Sequence, residues 1–324
     1  MRRCCYVLLV SWCCLAALSC SRNKVEDPFT YPFVKEIHIK PAPDKPYGNY
    51  KALYLLTEDL EPYLTSPAQI DEAREALGFA ADLSTKNSVP WTHFVDISAF
   101  EPAFVSGDDA AKSGCRALLG DLKGMVEKGD DAELHLHGPM SGRFIDVLRA
   151  EEKHSVRVKS IEDAVSYRQR KSFFFNSFYR GGYREIVLSL TYGKYALERY
   201  LYDGKEQVLA FRPGGWDQGG TEQDALIYFS ALSASGLVAN SGVAVGNFGG
   251  PDWRVGSDPG HNVASIQVGE KEIIEVSPTR GPGGYITPVL PNDLLKLSNA
   301  VRNEIPVIVA VYHLAASEVK SRTG

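Results

Sequence analysis

Short apolar runs alternate along most of this chain with apolar positions at helical spacing. The run Ala52-Leu53-Tyr54-Leu55-Leu56 ends at Thr57-Glu58-Asp59 and predicts a first buried strand. Ser66-Pro67-Ala68-Gln69 then offers an N-cap, a proline at the first helical position and a capping partner. Ile70, Ala73, Leu77 and Ala80 continue that helix at its own period. A strand is predicted over Thr92 to Ile97, and a helix on Ala111, Cys115, Leu118, Leu122 and Met125. Glu133-Leu134-His135-Leu136-His137 forms the end of a third strand. Farther on, a helix is expected over roughly 183–202 and a strand over Gln207 to Phe211. Thr221 caps a helix that runs through Ala225, Phe229 and Leu232 and stops at Gly236. Later strands are expected at Glu272 to Val276 and Pro306 to Tyr312.

Alternation of this kind specifies an α/β fold but does not by itself separate a barrel from an open sheet. The polar residues favour the barrel. Glu58/Asp59, His135/His137, Arg212 and His313 each follow an apolar strand-like run. Barrel sites are assembled from the C-terminal ends of several strands, which would bring these distant residues together.

With 324 residues, 44% of them hydrophobic, the chain can bury one substantial core. A net charge of -5 without a basic block gives nucleic-acid binding no electrostatic support. Arg2 and Arg3 precede an apolar run from Cys4 to Leu18, too short for a permanent membrane span, which reads as an export signal. The run closes on Ala17-Leu18-Ser19-Cys20, which resembles a bacterial lipoprotein cleavage box with Cys20 as the lipidated residue. Ordinary secretion is the alternative. The expected layout is a signal peptide over 1–20, a polar tether over 21–46 and one domain over 47–324. That domain is expected outside the cytoplasm, in a periplasm or on an outer surface, held to a membrane through Cys20. Its sole cysteine is Cys115, so it has no internal disulfide.

Two residues apart on a strand, His135 and His137 project from one face and can bind one ion, as imidazoles bind Zn, Co or Ni. Two histidines and one carboxylate leave positions open for water and a substrate carbonyl. If Asp59 is that carboxylate, Glu58 stays free to take a proton. The plain alternatives are a solvated acidic turn, and one ligand histidine beside one structural histidine. Arg212 is placed to orient a carboxylate by a bidentate pair, and the glycines after it let the loop pass close to a substrate. Trp216 suits a sugar-stacking wall or a loop anchor, and Asp217 a hydrogen bond to a histidine or a sugar hydroxyl. His313 suits a general acid or a structural histidine.

In order and spacing, Thr57-Glu58-Asp59, His135/His137, Arg212 to Trp216, Gly236 to Ser241, Glu275 to Pro278 and His313 resemble the motifs of one superfamily. It is the polysaccharide deacetylase (NodB-homology, carbohydrate esterase family 4-like) superfamily. The resemblance implies a distorted (β/α)7-type barrel and a metal-dependent hydrolase removing N- or O-acetyl groups from a cell-envelope or exported polysaccharide. It implies Glu58 as base, Arg212 as its brace and His313 as proton donor. Asp59, His135 and His137 would hold a divalent metal, Zn before Co or Ni, and Trp216 and Asp217 would contact the acetylated glycan. The chain departs from the pattern at Glu58, where Asp is usual, and at its shorter histidine spacing, with Pro139 where the second histidine would fall. Asn240-Ser241 stands where Asp-Ser is usual, and only 11 residues follow His313, where the family pattern often continues with a helix. An open barrel there, a covering segment from elsewhere and a truncated sequence are the alternatives. Two other functions fit the same barrel. One is a catalytically inactive glycan-binding or envelope-assembly protein. The other is a glycoside hydrolase, which needs two separated carboxylates flanking its bond.

Overall fold

The computed structural model describes residues 37–41, 53–61, 64, 66–150, 182–219, 222–242, 263–278, 280–281, 284–285 and 307–313. The signal segment with Cys20, the glycine-rich stretch 243–262 and the side chain of His313 lie outside that description.

In chain order the elements begin with β1 (Ile37–Pro41), β2 (Leu53–Leu60), α1 (Pro67–Asn87) and β3 (Trp91–Asp96). A 3-10 turn (Ile97–Phe100) leads into α2 (Glu101–Ser106), α3 (Asp109–Val126), β4 (Asp131–Leu136) and α4 (Gly142–Ala150). Then come α5 (Tyr183–Leu201), β5 (Ala210–Pro213), a second 3-10 turn (Gly214–Trp216), α6 (Glu222–Ala234) and β6 (Ala239–Asn240). The chain continues through β7 (Val263–Val268), β8 (Lys271–Val276), the short pair β9 (Arg280–Gly281) and β10 (Gly284–Tyr285), and β11 (Val307–His313).

Local chemistry accounts for the helix starts. Ser66 sits in an extended conformation and its Oγ accepts from the Gln69 amide at 3.4 Å, with Pro67 opening α1. Asp108 does the same for α3 through the Ala111 amide at 2.8 Å. The apolar stripes are buried as their periods require: Ile70, Ala73, Leu77 and Ala80 on α1, and Ala111, Cys115, Leu118, Leu122 and Met125 on α3. Helix α5 lies close on β4 because Gly193 has no side chain; a Cβ there would meet Leu134 Cδ1 at 2.8 Å.

The strands form one sheet in the order β1-β7-β8-β6-β5-β4-β3-β2-β11. From β8 to β11 every neighbour is parallel, while β7 and β1 add antiparallel at the β8 edge. The run of parallel strands with helices between them is a distorted (β/α)7-type barrel. Its two flanks meet through side chains: Val263 of β7 packs with Val309 and Val311 of β11, and Val276 of β8 and Trp216 close the cluster. The sheet is therefore rolled. Inside it lies a cavity of about 180 Å³ lined by Thr57, Thr92, Phe94, Glu133, Val276 and Val309 among others. Residues 37–41 fall in the expected tether, yet they form β1 and pair with β7, so the sheet begins before residue 47.

The expected first strand was too short. It runs on through Glu58 and Asp59 to Leu60, and the pleat sends these neighbours to opposite faces. Glu58 points outward, toward the helices, where its carboxylate pairs with Nδ1 of His93; His93 Nε2 lies 3.3 Å from Asp130. Asp130 also accepts from the Trp91 amide at 3.1 Å and Ser84 Oγ at 2.8 Å. Burial opposes a charged His93, but the flanking carboxylates of Glu58 and Asp130 outweigh it and push its pKa up to about 9.

The ring titrates near 6.5 in an unfolded chain, so His93 stabilises the fold fully below that pH and the contribution is lost as pH rises through about 9. Urea unfolding at pH 6 and pH 9.5 should show a loss on the order of 3 kcal/mol from this ring. His93→Gln should remove that part of the slope, leaving what Glu133 and Glu275 impose, both pushed up to about 8 mainly by burial. A variant with the wild-type slope would refute the assignment.

Candidate metal centre

The inner face of β2 carries Thr57 and Asp59, and Glu61 follows in the same phase just past the strand end. Across β4, His135 and His137 share the inner face with Glu133. Glu61, His135 and His137 bring one ligand atom each to within 4.8 Å of one another. Oε1 of Glu61 lies 3.0 Å from His135 Nε2 and 2.9 Å from His137 Nε2. The imidazole centroids are 4.9 Å apart, with their planes at 81°.

The orientation of His135 is fixed from behind. Its Nδ1–H donates to the Arg212 carbonyl oxygen at 2.8 Å, which leaves Nε2 facing Glu61. His137 is positioned by the backbone of the turn after β5. A Cβ on Gly214 would lie 2.5 Å from His137 Nδ1 and 2.7 Å from its Cα, so only glycine lets the two segments touch. Burial by itself raises the pKa of Glu61. Its hydrogen bonds and the charges of both histidines outweigh that and hold it well below the usual carboxylate range. Two imidazoles and an ionised carboxylate converging in a buried pocket make a donor set that fits a divalent cation.

Arg212 builds the layer beneath. The guanidinium is fully buried, its Nη1 donating to Asp59 Oδ1 at 2.5 Å and its Nη2 to Thr57 Oγ1 at 2.9 Å. Ser241 Oγ accepts from both Nε, at 3.3 Å, and Nη2, at 2.9 Å. The Phe94 ring lies under the cation, 3.9 Å from ring centroid to Cζ.

Of the residues singled out from sequence, the structure brings together His135, His137, Arg212 and Asp59. It corrects the acidic pair. The carboxylate beside the histidines is Glu61, not Asp59, which is engaged by Arg212; Glu58 lies on the other face with His93. The physical reason is the longer strand, whose pleat puts Asp59 and Glu61 inward and Glu58 outward. Trp216 is half-buried against the valine cluster at the seam. Asp217 is buried, and its Oδ1 accepts from the Gly219 amide at 3.1 Å within its own loop. His313 ends β11 in register with Asp59. Glu61, Thr57 and Phe94 were missed; a period of two running past Thr57 and Asp59 was the signal for Glu61.

No protein-family model matches this sequence, and no curated protein matches it. Two solved structures are similar to it. One, from Mycobacterium smegmatis, is assigned provisionally as a polysaccharide deacetylase; it is 13% identical, with 88% of this chain and 85% of that one covered and a TM-score of 0.49. The other is a mutant of a CE4-family pseudoenzyme with restored enzymatic activity, 12% identical, covering 85% of this chain and 61% of that one, with a TM-score of 0.38. Likeness at this level says nothing of what this chain binds.

Replacing Gly214 by Ala should displace His137 without touching the barrel core. Calorimetric titration with Zn should show affinity reduced by about tenfold or more, with an unchanged far-ultraviolet circular dichroism spectrum. Undiminished affinity would show that His137 does not depend on this contact.

Proposed function

We propose that this protein is a metal-dependent hydrolase that removes N- or O-acetyl groups from a cell-envelope or exported polysaccharide. The observation that carries the reading is the juxtaposition of the Glu61–His135–His137 group with the Arg212-braced Asp59 at the C-terminal end of the barrel. Those are the two parts an acyl-transfer hydrolase needs: a cation site with open positions, and a held carboxylate beside it.

Glu61, His135 and His137 would hold the cation, Zn before Co or Ni given two imidazoles and one carboxylate. When bound, it supplies Lewis-acid polarisation of the substrate carbonyl. Asp59 takes the proton from the attacking water. Arg212 fixes that carboxylate in orientation, while Thr57 and Ser241 accept from the other guanidinium nitrogens. His313, at the end of the strand paired to β2, protonates the leaving amine or alcohol. Trp216 and Asp217 belong to the loop that borders the glycan. An export-type N-terminus with Cys20 as its lipid site supports a substrate in the cell envelope. Among the described residues no helix is long and apolar enough to cross a membrane.

The test is metal content and acetate release by the purified protein on acetylated glycans, amide and ester. Wild-type protein should bind about one divalent ion and release acetate. Asp59→Asn, which retains an acceptor for Arg212, should lower kcat by at least about a hundredfold with Zn affinity within about twofold. His135→Ala should abolish both. Absence of bound metal and of acetate release would sink the proposal; bound metal and glycan without turnover would instead favour the inactive binding protein.

A further inference from the structure

A second acidic group stands next to the cluster. Asp96 ends β3, on the face that Thr92 and Phe94 turn toward the interior cavity. Trp91 and Val95, in the opposite phase, belong to the core under the helices. In register, Asp96 lies directly opposite His135, and neighbouring strands run only about 4.8 Å apart. Its side chain is completely buried.

The two carboxylate oxygens of Asp96 differ in their surroundings. Oδ1 accepts from the Ser98 amide at 3.0 Å and from Ser98 Oγ at 2.5 Å, and so caps the 3-10 turn. Oδ2 is buried and has no hydrogen-bond partner among the described residues. Most buried polar oxygens are paired, and an ion or a water is one group that completes such an oxygen. The side chains around it point to what that is. With the imidazoles neutral, as ligation of a cation requires, Glu61 and Asp96 are carboxyl groups beside them that Arg212 does not engage. Asp96 is not among the three residues whose ligand atoms lie within 4.8 Å of one another, which places it outside direct coordination.

We propose that Asp96 is an outer carboxylate of the metal centre, which would hold, through Oδ2, a proton-bearing group beside the cation. The proposal rests on the reading of Glu61, His135 and His137 as cation ligands. It makes Asp96 a positioning residue, acting through the cation.

Asp96→Asn isolates the role of Oδ2. The amide oxygen can still accept from Ser98, so the cap survives while the free oxygen and its charge are lost. Ser98→Ala is the converse control, weakening the cap and leaving Oδ2 alone. Zn titration by calorimetry and melting without metal are measured on the full chain and both variants. Asp96→Asn should bind Zn about tenfold more weakly or worse and melt, without metal, no lower than wild type. Ser98→Ala should melt lower and bind Zn as wild type does. Wild-type affinity in Asp96→Asn would overturn the proposal and leave the metal centre standing. Failure of wild type itself to bind Zn would overturn both. An Asp96→Asn chain that does not fold would also overturn it, since the charge would then serve the protein and not a cation.

Discussion

A fully buried guanidinium is the constraint around which the rest of this barrel is arranged. Arg212 has five N–H groups and a permanent charge, and none of it reaches solvent. Every partner it finds comes from another strand or strand end: Asp59 and Thr57 from β2, Ser241 after β6, and the face of Phe94 from β3. Removing one partner of such a pair leaves a buried charge uncompensated, at about 3–5 kcal/mol. The relative heights of four strands are thereby fixed by one side chain. Its backbone takes part as well, since the Arg212 carbonyl sets the orientation of His135. The carboxylate proposed to move the proton and the histidine proposed to hold the cation are thus aligned by the same residue.

Most of the elements could be read from the sequence because each rests on a local rule. The Ser66-Pro67 start of α1, the apolar stripes of α1 and α3, and the strand ending in His135 all follow from capping and period. Arg212 and the histidine pair were legible for the same reason, as polar residues just after apolar runs. Glu61 was not. Its membership depends on β2 continuing past its apolar part through Thr57, Glu58 and Asp59, three polar residues that read locally as a strand end. What sustains the strand there is tertiary: β11 and β3 pair with it on both sides up to Asp59 and Leu60, and Arg212 and His93 satisfy the side chains. No sequence period announces partners contributed from 35 and 153 residues away. Asp96 was hidden differently. Its neighbour His135 lies on the next strand, and only the register shows them side by side.

The pleat of β2 also separates two kinds of electrostatics that the sequence places in adjacent residues. On the outer face Glu58, His93 and Asp130 form a charged cluster under α1, with a ring that keeps its proton into the alkaline range. On the inner face Asp59 and Glu61 face Arg212 and the histidines of the site. The two faces share a backbone but engage different partners, His93 outside and Arg212 with the two site histidines inside. Deprotonating His93 removes the cation between two buried carboxylates and so weakens the packing of β2 against β3. That loosens the strand from which Asp59 and Glu61 project. Alkaline loss of activity that tracks loss of fold would therefore originate on the outer face. Loss in a protein still fully folded would originate in the groups around the proposed cation site. An acidic pair on a turn, as the sequence first suggested, could make no such distinction, because both carboxylates would share one environment. The strand gives each its own.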